Sequence, residues 1–404
     1  MRQDKNKKGR VLFVGHSYYN TWYLSRGLRE LGWKADTLNI DTDETQLMYY
    51  HGQDYQFRAR NISDLLRQFV FYLKAIFKYD IFHFSGAWNM VFVPDLYDVI
   101  RFFFPGLLKD NTWRWDVRLL KLLGKKIVYS NNGCLDGVLQ SSFRTWGPEP
   151  VCDICPWQNR PEICSDERNR AWGRLRNSLA DYQILLGGNR KDFNEASTVH
   201  EAPEFYCLDS RLWQADMLIP SNYRLSIPDD VVKIYHAVGE FESRTHAISN
   251  RNIKSTHLYI PLVERLKKEG YKVELIFFND VPNKKLRYYQ AQADIFVDML
   301  TFGFFGANIR EGLMLGKPTV CYLRPEWLES MRREIPEYVD ELPVISATPA
   351  TIYDILKDLI ANPAKRAEIG RRSREFAVKW HSGEAAARRF DRIYSDLLGR
   401  GRSL

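Results

Sequence analysis

The sequence predicts an α/β protein of two Rossmann-like domains, each a parallel sheet covered by helices, facing a central cleft. Three observations predict it. At 404 residues the chain exceeds what one hydrophobic core supports, so two cores of roughly 150–200 residues are expected. Strand-like and helix-like segments alternate in both halves. A polar stretch between Pro220 and Pro228 then supplies a linker. The domains accordingly run over 1–220 and 229–380, with 381–404 as a closing helical segment.

The first half opens with Arg10-Val-Leu-Phe-Val-Gly15-His16, a strand ending in a glycine loop. A helix over Thr21–Leu31 and a strand over Lys34–Ile40 follow. Asp80-Ile-Phe-His83-Phe-Ser85-Gly86 and Lys126-Ile-Val-Tyr-Ser130 read as later strands of the same sheet. No Gly-x-Gly-x-x-Gly follows the first strand, which argues against a dinucleotide cofactor. The second sheet starts near Val231 and continues at Lys272–Phe278, Asp294–Leu300 and Val320–Leu323. Between its strands, His257–Glu269 is an amphipathic helix with Leu258, Ile260, Leu262, Val263 and Leu266 roughly on one face. Residues Ala350–Ala361 and Pro363–Leu398 are helical in pattern.

The most informative stretch is Ala293–Leu323. A strand turns on Gly303 and Gly306 into a short helix, Asn308–Leu315, stopped by Gly316 and Pro318. The first N–H groups of a helix have no partner inside it, so a glycine turn at its start is a device for holding an anion. Gly306, Ala307, Asn308 and Ile309 are the candidates for that contact, and Glu311, one turn in, can reach a ribose or sugar hydroxyl. Gly312-Leu-Met-Leu-Gly316-Lys317-Pro318-Thr319 superficially resembles a P-loop. It has three residues between its glycines instead of four, and its lysine follows the helix, which argues against a Walker-type ATPase. Upstream, Val232-Lys-Ile-Tyr-His236-Ala-Val-Gly239 is a strand opening into a loop that carries Arg244, Arg251 and Lys254-Ser-Thr256. A basic pair there either binds phosphate or is a solvated turn.

Glu311-Gly-Leu-Met-Leu-Gly316-Lys317-Pro318-Thr-Val320 resembles the second half of the signature of the retaining glycosyltransferases of family 4, which have the glycosyltransferase-B fold. The resemblance is strong over about 230–395 and weaker over 10–210. It implies that Glu311 contacts the nucleotide ribose. The signature's first glutamate, which contacts the donor sugar, would fall at Gly303 and is missing. The resemblance further implies that Lys254 and Arg251 (with Arg244 as rival) hold the donor diphosphate, beside Gly239. The acceptor would lie on the first domain, with catalysis in the cleft and the last helix, Trp380–Leu398, packing back on that domain. In the family a His-x-His pattern and a His-Gly pair are common where this chain has His83-Phe-Ser85 and Asn132-Gly133, leaving Gly15 and His16 as cleft candidates. Transfer would retain configuration, the departing phosphate taking the acceptor's proton, so no side-chain base and no catalytic cofactor are required. The implied activity moves a sugar from a nucleotide-diphosphate donor to a glycan or lipid-linked acceptor in bacterial surface polysaccharide synthesis.

Cys152-Asp-Ile-Cys155, Cys164 and upstream Cys134 sit in an irregular insert, 134–164. They could staple it as a four-cysteine structural zinc site or stay reduced thiols. Without an apolar leader or an apolar run of membrane-spanning length, the chain is expected in the cytoplasm, with the inner face of the membrane as a second location. Net charge is +8. Two segments combine bases with aromatics: Arg67–Lys78, and Val91 through Lys126 with Phe102–Pro105, Trp113 and Trp115. They either lie on an anionic membrane surface or place their aromatics in the first core. Two other function classes stay open: a non-catalytic nucleotide-sugar-binding scaffold, and a nucleic-acid binder. Charge alone supports the latter, with no recognisable motif, so nucleic acid is not an expected partner.

Overall fold

The computed structural model describes residues 8–15, 18–40, 52–57, 62–91, 114–131, 133–136, 138–185, 192, 195–279 and 281–400. His16, Asn132 and the run from Arg101 to Trp113 lie outside the described residues. The chain packs as two compact units. One is Met1–Leu139 with Asp166–Cys207 and Gly383–Leu404; the other is Gln140–Ser165 with Leu208–Ser382. Three of the four insert cysteines therefore group with the second unit, although sequence order places them in the first.

Among the described residues the first unit holds seven strands: β1 (Arg10–Val14), β2 (Lys34–Ile40), β3 (Tyr55–Phe57), β4 (Ile81–Ser85), β5 (Lys126–Ser130), β6 (Tyr182–Leu185) and β7 (Val199–Glu201). Its labelled helices are α1 (Asn20–Glu30), α2 (Ile62–Lys78), α3 (Trp115–Leu122) and α4 (Asp166–Leu179), and the closing helix Gly383–Leu397 also belongs here. The strands form one parallel sheet in the order β3-β2-β1-β4-β5-β6-β7. Near-continuous burial of β1 and β4 is what a sheet covered on both faces requires. The closing helix is tied to the first strands' surroundings by Asp391, which accepts from Trp33 Nε1 at 2.7 Å and pairs with Lys8 at 2.7 Å.

His83 is part of this core. Its ring stacks on Phe205 at 5.1 Å between centroids, and its Nδ1 meets the Tyr394 hydroxyl at 2.7 Å. Burial pushes its pKa down to about 3, so the ring is neutral. Ser85, two residues on, is fully buried as well.

The second unit holds β8 (Val232–Val238), β9 (Val273–Asn279), β10 (Ile295–Val297), β11 (Thr319–Cys321) and β12 (Ile345–Ser346). Its longer helices are α5 (Thr256–Lys268), α6 (Asn283–Ala291), α7 (Ala307–Met314), α8 (Pro325–Glu334), α9 (Pro336–Glu341), α10 (Ile352–Ala361) and α11 (Pro363–His381). The parallel order is β12-β11-β10-β8-β9, so the winding reverses between β8 and β10.

Three elements differ from the sequence expectation. The ridge of α5 that enters the core is Tyr259, Val263 and Leu266, while Ile260 stays substantially exposed. Tyr259 can be buried because its hydroxyl donates to the Asp298 carbonyl. Strand β10 ends at Val297; Asp298 N–H still donates to the Val320 carbonyl of β11 at 3.0 Å, and by Leu300 the backbone has left the sheet, its N–H donating to Ser255 Oγ at 3.0 Å. The helical run from Pro363 breaks at Ser382, where the backbone turns extended and bridges to Leu208.

Candidate functional site

In an open parallel sheet, ligands bind beyond the carboxyl ends of the strands where the winding reverses, since two neighbouring loops part there and leave a crevice. In the second unit that point is the end of β8 and β10. Gly239 follows β8 directly, Asp298 follows β10, and the loops beyond them carry Lys254 and Gly306. The two sequence motifs, about fifty residues apart, therefore belong to one place in the fold.

Lys254 is mostly buried and its Nζ lies 2.8 and 3.0 Å from the two oxygens of Asp298, whose side chain is fully buried. A Cβ built on Gly306 would come 3.4 Å from the same Nζ, which puts the lysine against the turn that starts α7. The loop is pinned by several contacts. His236 of β8 places Nε2 2.8 Å from Thr256 Oγ1 and Nδ1 3.3 Å from the Val297 carbonyl. Burial pushes its pKa down to about 4, so it acts as a neutral bridge between β8, β10 and α5. Ser255 takes a left-handed backbone at φ +63°, and Asn252 accepts from the Thr256 hydroxyl at 3.2 Å.

The start of α7 is held to β8 by Asn308, whose Nδ2 donates to the Ala237 carbonyl at 2.9 Å. Residues Ala307, Asn308 and Ile309 form its first turn, whose N–H groups have no acceptor within the helix. Together these give an ammonium and a helix N-terminus side by side, a combination suited to a phosphate.

Glu311 is placed differently. It is buried, and its two carboxylate oxygens accept from Asn283 Nδ2 at 3.0 Å and Gln290 Nε2 at 2.5 Å. Gln290 also bonds the Tyr235 hydroxyl at 3.2 Å and accepts from Trp213 at 3.3 Å. In this arrangement Glu311 ties α6 to α7. Arg251 forms a half-exposed ion pair with Glu149 of the insert. Gly303 has φ +96° and its carbonyl accepts from Arg324 N–H at 2.8 Å. A glutamate at this position would need a left-handed backbone and would bring its Cβ to 3.0 Å from Arg324 Cβ, so the loop is built for glycine. Gly15, in the first unit, lies beneath the Trp88 indole, 2.3 Å from where a Cβ would stand.

The sequence reading missed Asp298, Asn283, Gln290 and the insert's part in this region. Asp298 had a signal: one carboxylate closing the apolar strand run Ile-Phe-Val. The insert packs on the turn before α7. Phe143 meets Phe302 edge-on at 4.9 Å, and the Arg324 guanidinium lies 3.4 Å over the Trp146 ring. At Gly147 a Cβ would fall 1.9 Å from the Thr301 carbonyl oxygen, a backbone atom that cannot swing away. Gly147→Ala should therefore cost roughly 1–3 kcal/mol or more of stability, read as a lower denaturation midpoint. An unchanged midpoint would mean the insert does not hold the turn.

The cysteines are all free thiols. Burial first, and then the neighbouring Cys155 and Cys164, pushes the Cys152 pKa up to about 12, and burial raises that of Cys155 as well. Cys134 belongs to the first unit. Among the described residues no three His, Cys, Asp or Glu side chains gather as a metal-binding group, and no helix is long and apolar enough to cross a membrane.

No protein-family model matches the chain, and no curated protein matches its sequence. Solved structures do match its fold over nearly the whole length. The Anabaena protein HepE in complex with UDP and glucose is 13% identical with a TM-score of 0.58, covering 96% of this chain and 100% of that one. Sucrose-phosphate synthase from Thermosynechococcus elongatus is 13% identical with a TM-score of 0.56, over 97% and 100%. A glycosyltransferase from Rickettsia africae is 14% identical with a TM-score of 0.54, over 97% and 99%. With a parallel sheet of seven strands in one unit and of five in the other, the chain has the glycosyltransferase-B fold.

Proposed function

We propose that the protein is a glycosyltransferase that binds a nucleotide-diphosphate sugar in its second unit and transfers the sugar, with retention of configuration, to a glycan or lipid-linked acceptor of surface polysaccharide synthesis. The observation that carries this reading is the meeting of Lys254 with the N-terminal turn of α7 at the winding reversal of the sheet. A leaving diphosphate gains negative charge as the glycosidic bond breaks, and an ammonium beside fixed backbone dipoles stabilises that charge without having to reorganise. Lysine carries three N–H donors. Asp298 accepts from Lys254 through its two oxygens and so aims the ammonium while leaving donor capacity for a phosphate. The structure of HepE in complex with UDP-glucose, a neighbour in fold, supports the choice of donor class.

The test is to incubate the protein with UDP-, GDP-, ADP- and dTDP-sugars and follow release of the nucleoside diphosphate. One donor class should be turned over, and proton NMR of the transferred product should show the donor's anomeric configuration. An inverted product would remove the retaining assignment. Binding without release from any donor would favour the second reading, a non-catalytic nucleotide-sugar scaffold, which the full engagement of Glu311 by Asn283 and Gln290 already motivates.

A further inference from the structure

Helix α2 has one broad apolar face and buries only part of it. Gln68, Tyr72, Ala75 and Ile76 enter the first unit's core. Beside them on that face Ile62, Leu66, Phe69, Val70, Leu73 and Phe77 are exposed, with Ile62 at 76%, Leu66 at 60% and Phe77 at 81% of full exposure. Their spacing, roughly every fourth residue over four turns, makes one continuous stripe. Phe57 of the edge strand β3 and Phe71 prolong it as a shallow groove that Leu66, Arg67, Val70 and Lys74 complete. A contiguous apolar stripe of this kind marks a docking surface.

The exposed polar side chains of α2 are Ser63, Arg67 and Lys74, so the charged ones are both basic. The helix's single acid, Asp64, is half-buried beside Arg67 at 4.0 Å. A second copy of the chain is a poor occupant. A helix of 17 residues is about 25 Å long and about 10–12 Å wide, which offers about 300 Å². A stable protein interface needs about 800 Å² per partner. An anionic bilayer needs no matched partner surface, accepts the apolar side chains among its acyl chains and attracts the flanking bases.

We propose that the exposed face of α2 is a monotopic docking surface for a membrane rich in anionic phospholipid. Leu66, Phe69, Val70, Leu73 and Phe77 enter the interface, and Arg67 and Lys74 meet phosphate headgroups. This inference stands on the first unit alone and does not rest on the proposed transferase activity.

The test is sedimentation of the full chain with vesicles of equal parts phosphatidylglycerol and phosphatidylcholine, against vesicles of phosphatidylcholine alone. The protein should partition onto the anionic vesicles and be released by salt. Arg67→Ala with Lys74→Ala should lower the partition roughly thirtyfold, since each base near an anionic surface contributes roughly a factor of five. Leu66→Ser with Phe77→Ser should lower it by at least tenfold, and circular dichroism should be unchanged because both side chains are solvent-exposed. Equal partition onto both vesicle types, or partition untouched by either pair of substitutions, overturns the proposal. So does a wild-type dimer in analytical ultracentrifugation that Leu66→Ser with Phe77→Ser dissociates, since a second copy would then be the occupant.

Discussion

Replacing Lys254 with alanine should lower stability by about 3–5 kcal/mol, an effect large enough to unfold a marginal domain. The reason is the partner left behind. Asp298 is fully buried and its two oxygens face the lysine ammonium, so removing the lysine strands a carboxylate away from water. The double substitution Lys254→Met with Asp298→Asn removes both charges and should recover most of the loss. Chemical denaturation of the two variants and the wild type checks this. A loss below about 1 kcal/mol for Lys254→Ala would mean the pair is screened like a surface ion pair. In the double variant, where stability is largely restored, the diphosphate contact is still gone. Nucleotide affinity should therefore stay low by roughly 1.5–3 kcal/mol, which separates the ligand role from the structural one.

The second large effect is with acid. His83 and His236 are wholly buried, one in each unit, and burial holds their pKa values near 3 and 4 against an ordinary 6.5. Above pH 6.5 both folded and unfolded chains carry neutral rings, and these residues confer no pH dependence. As pH falls below 6.5 the unfolded chain takes up protons that the folded chain refuses, so stability declines. The decline from each ring ends only when that ring itself titrates in the folded state. Between pH 7 and pH 5 each ring should cost about 2 kcal/mol. Denaturation midpoints across that range should fall, and neither buried ring should titrate by NMR above pH 5. A flat profile from pH 7 to 5 would contradict the burial of both rings. Asp54 acts lower in the scale. Arg26, Thr37 and Arg29 bond it strongly enough to overcome its desolvation and hold it at about 2, so its stabilisation is lost only below the usual carboxylate range.

The alternating strands and helices were legible because buried parallel strands and one-sided helices leave simple periods in the sequence. The Glu311 and Lys254 motifs were legible because glycine turns and helix stops are local. What joins them was not. Lys254 and Asp298 stand 44 residues apart, and the amides that occupy Glu311 come from Asn283 and Gln290, 28 and 21 residues away. No local pattern encodes such pairings. The grouping of residues 140–165 with the second unit was hidden for the same reason, since Gly147, Trp146 and Phe143 find their partners at Thr301, Arg324 and Phe302. In α2 the aromatic and basic composition was visible, but its apolar face is broader than the sheet can cover, and only the fold shows which part is left exposed.

The central claim is that the second unit binds a nucleoside diphosphate at the winding reversal of its sheet. Amide hydrogen exchange with and without saturating UDP, GDP, ADP or dTDP tests it directly and needs no substitution. At least one nucleotide should slow exchange at 252–256 and 303–309, the backbone of the Lys254 loop and of the turn into α7. Protection confined to the first unit, or none with any of the four nucleotides, would contradict the account.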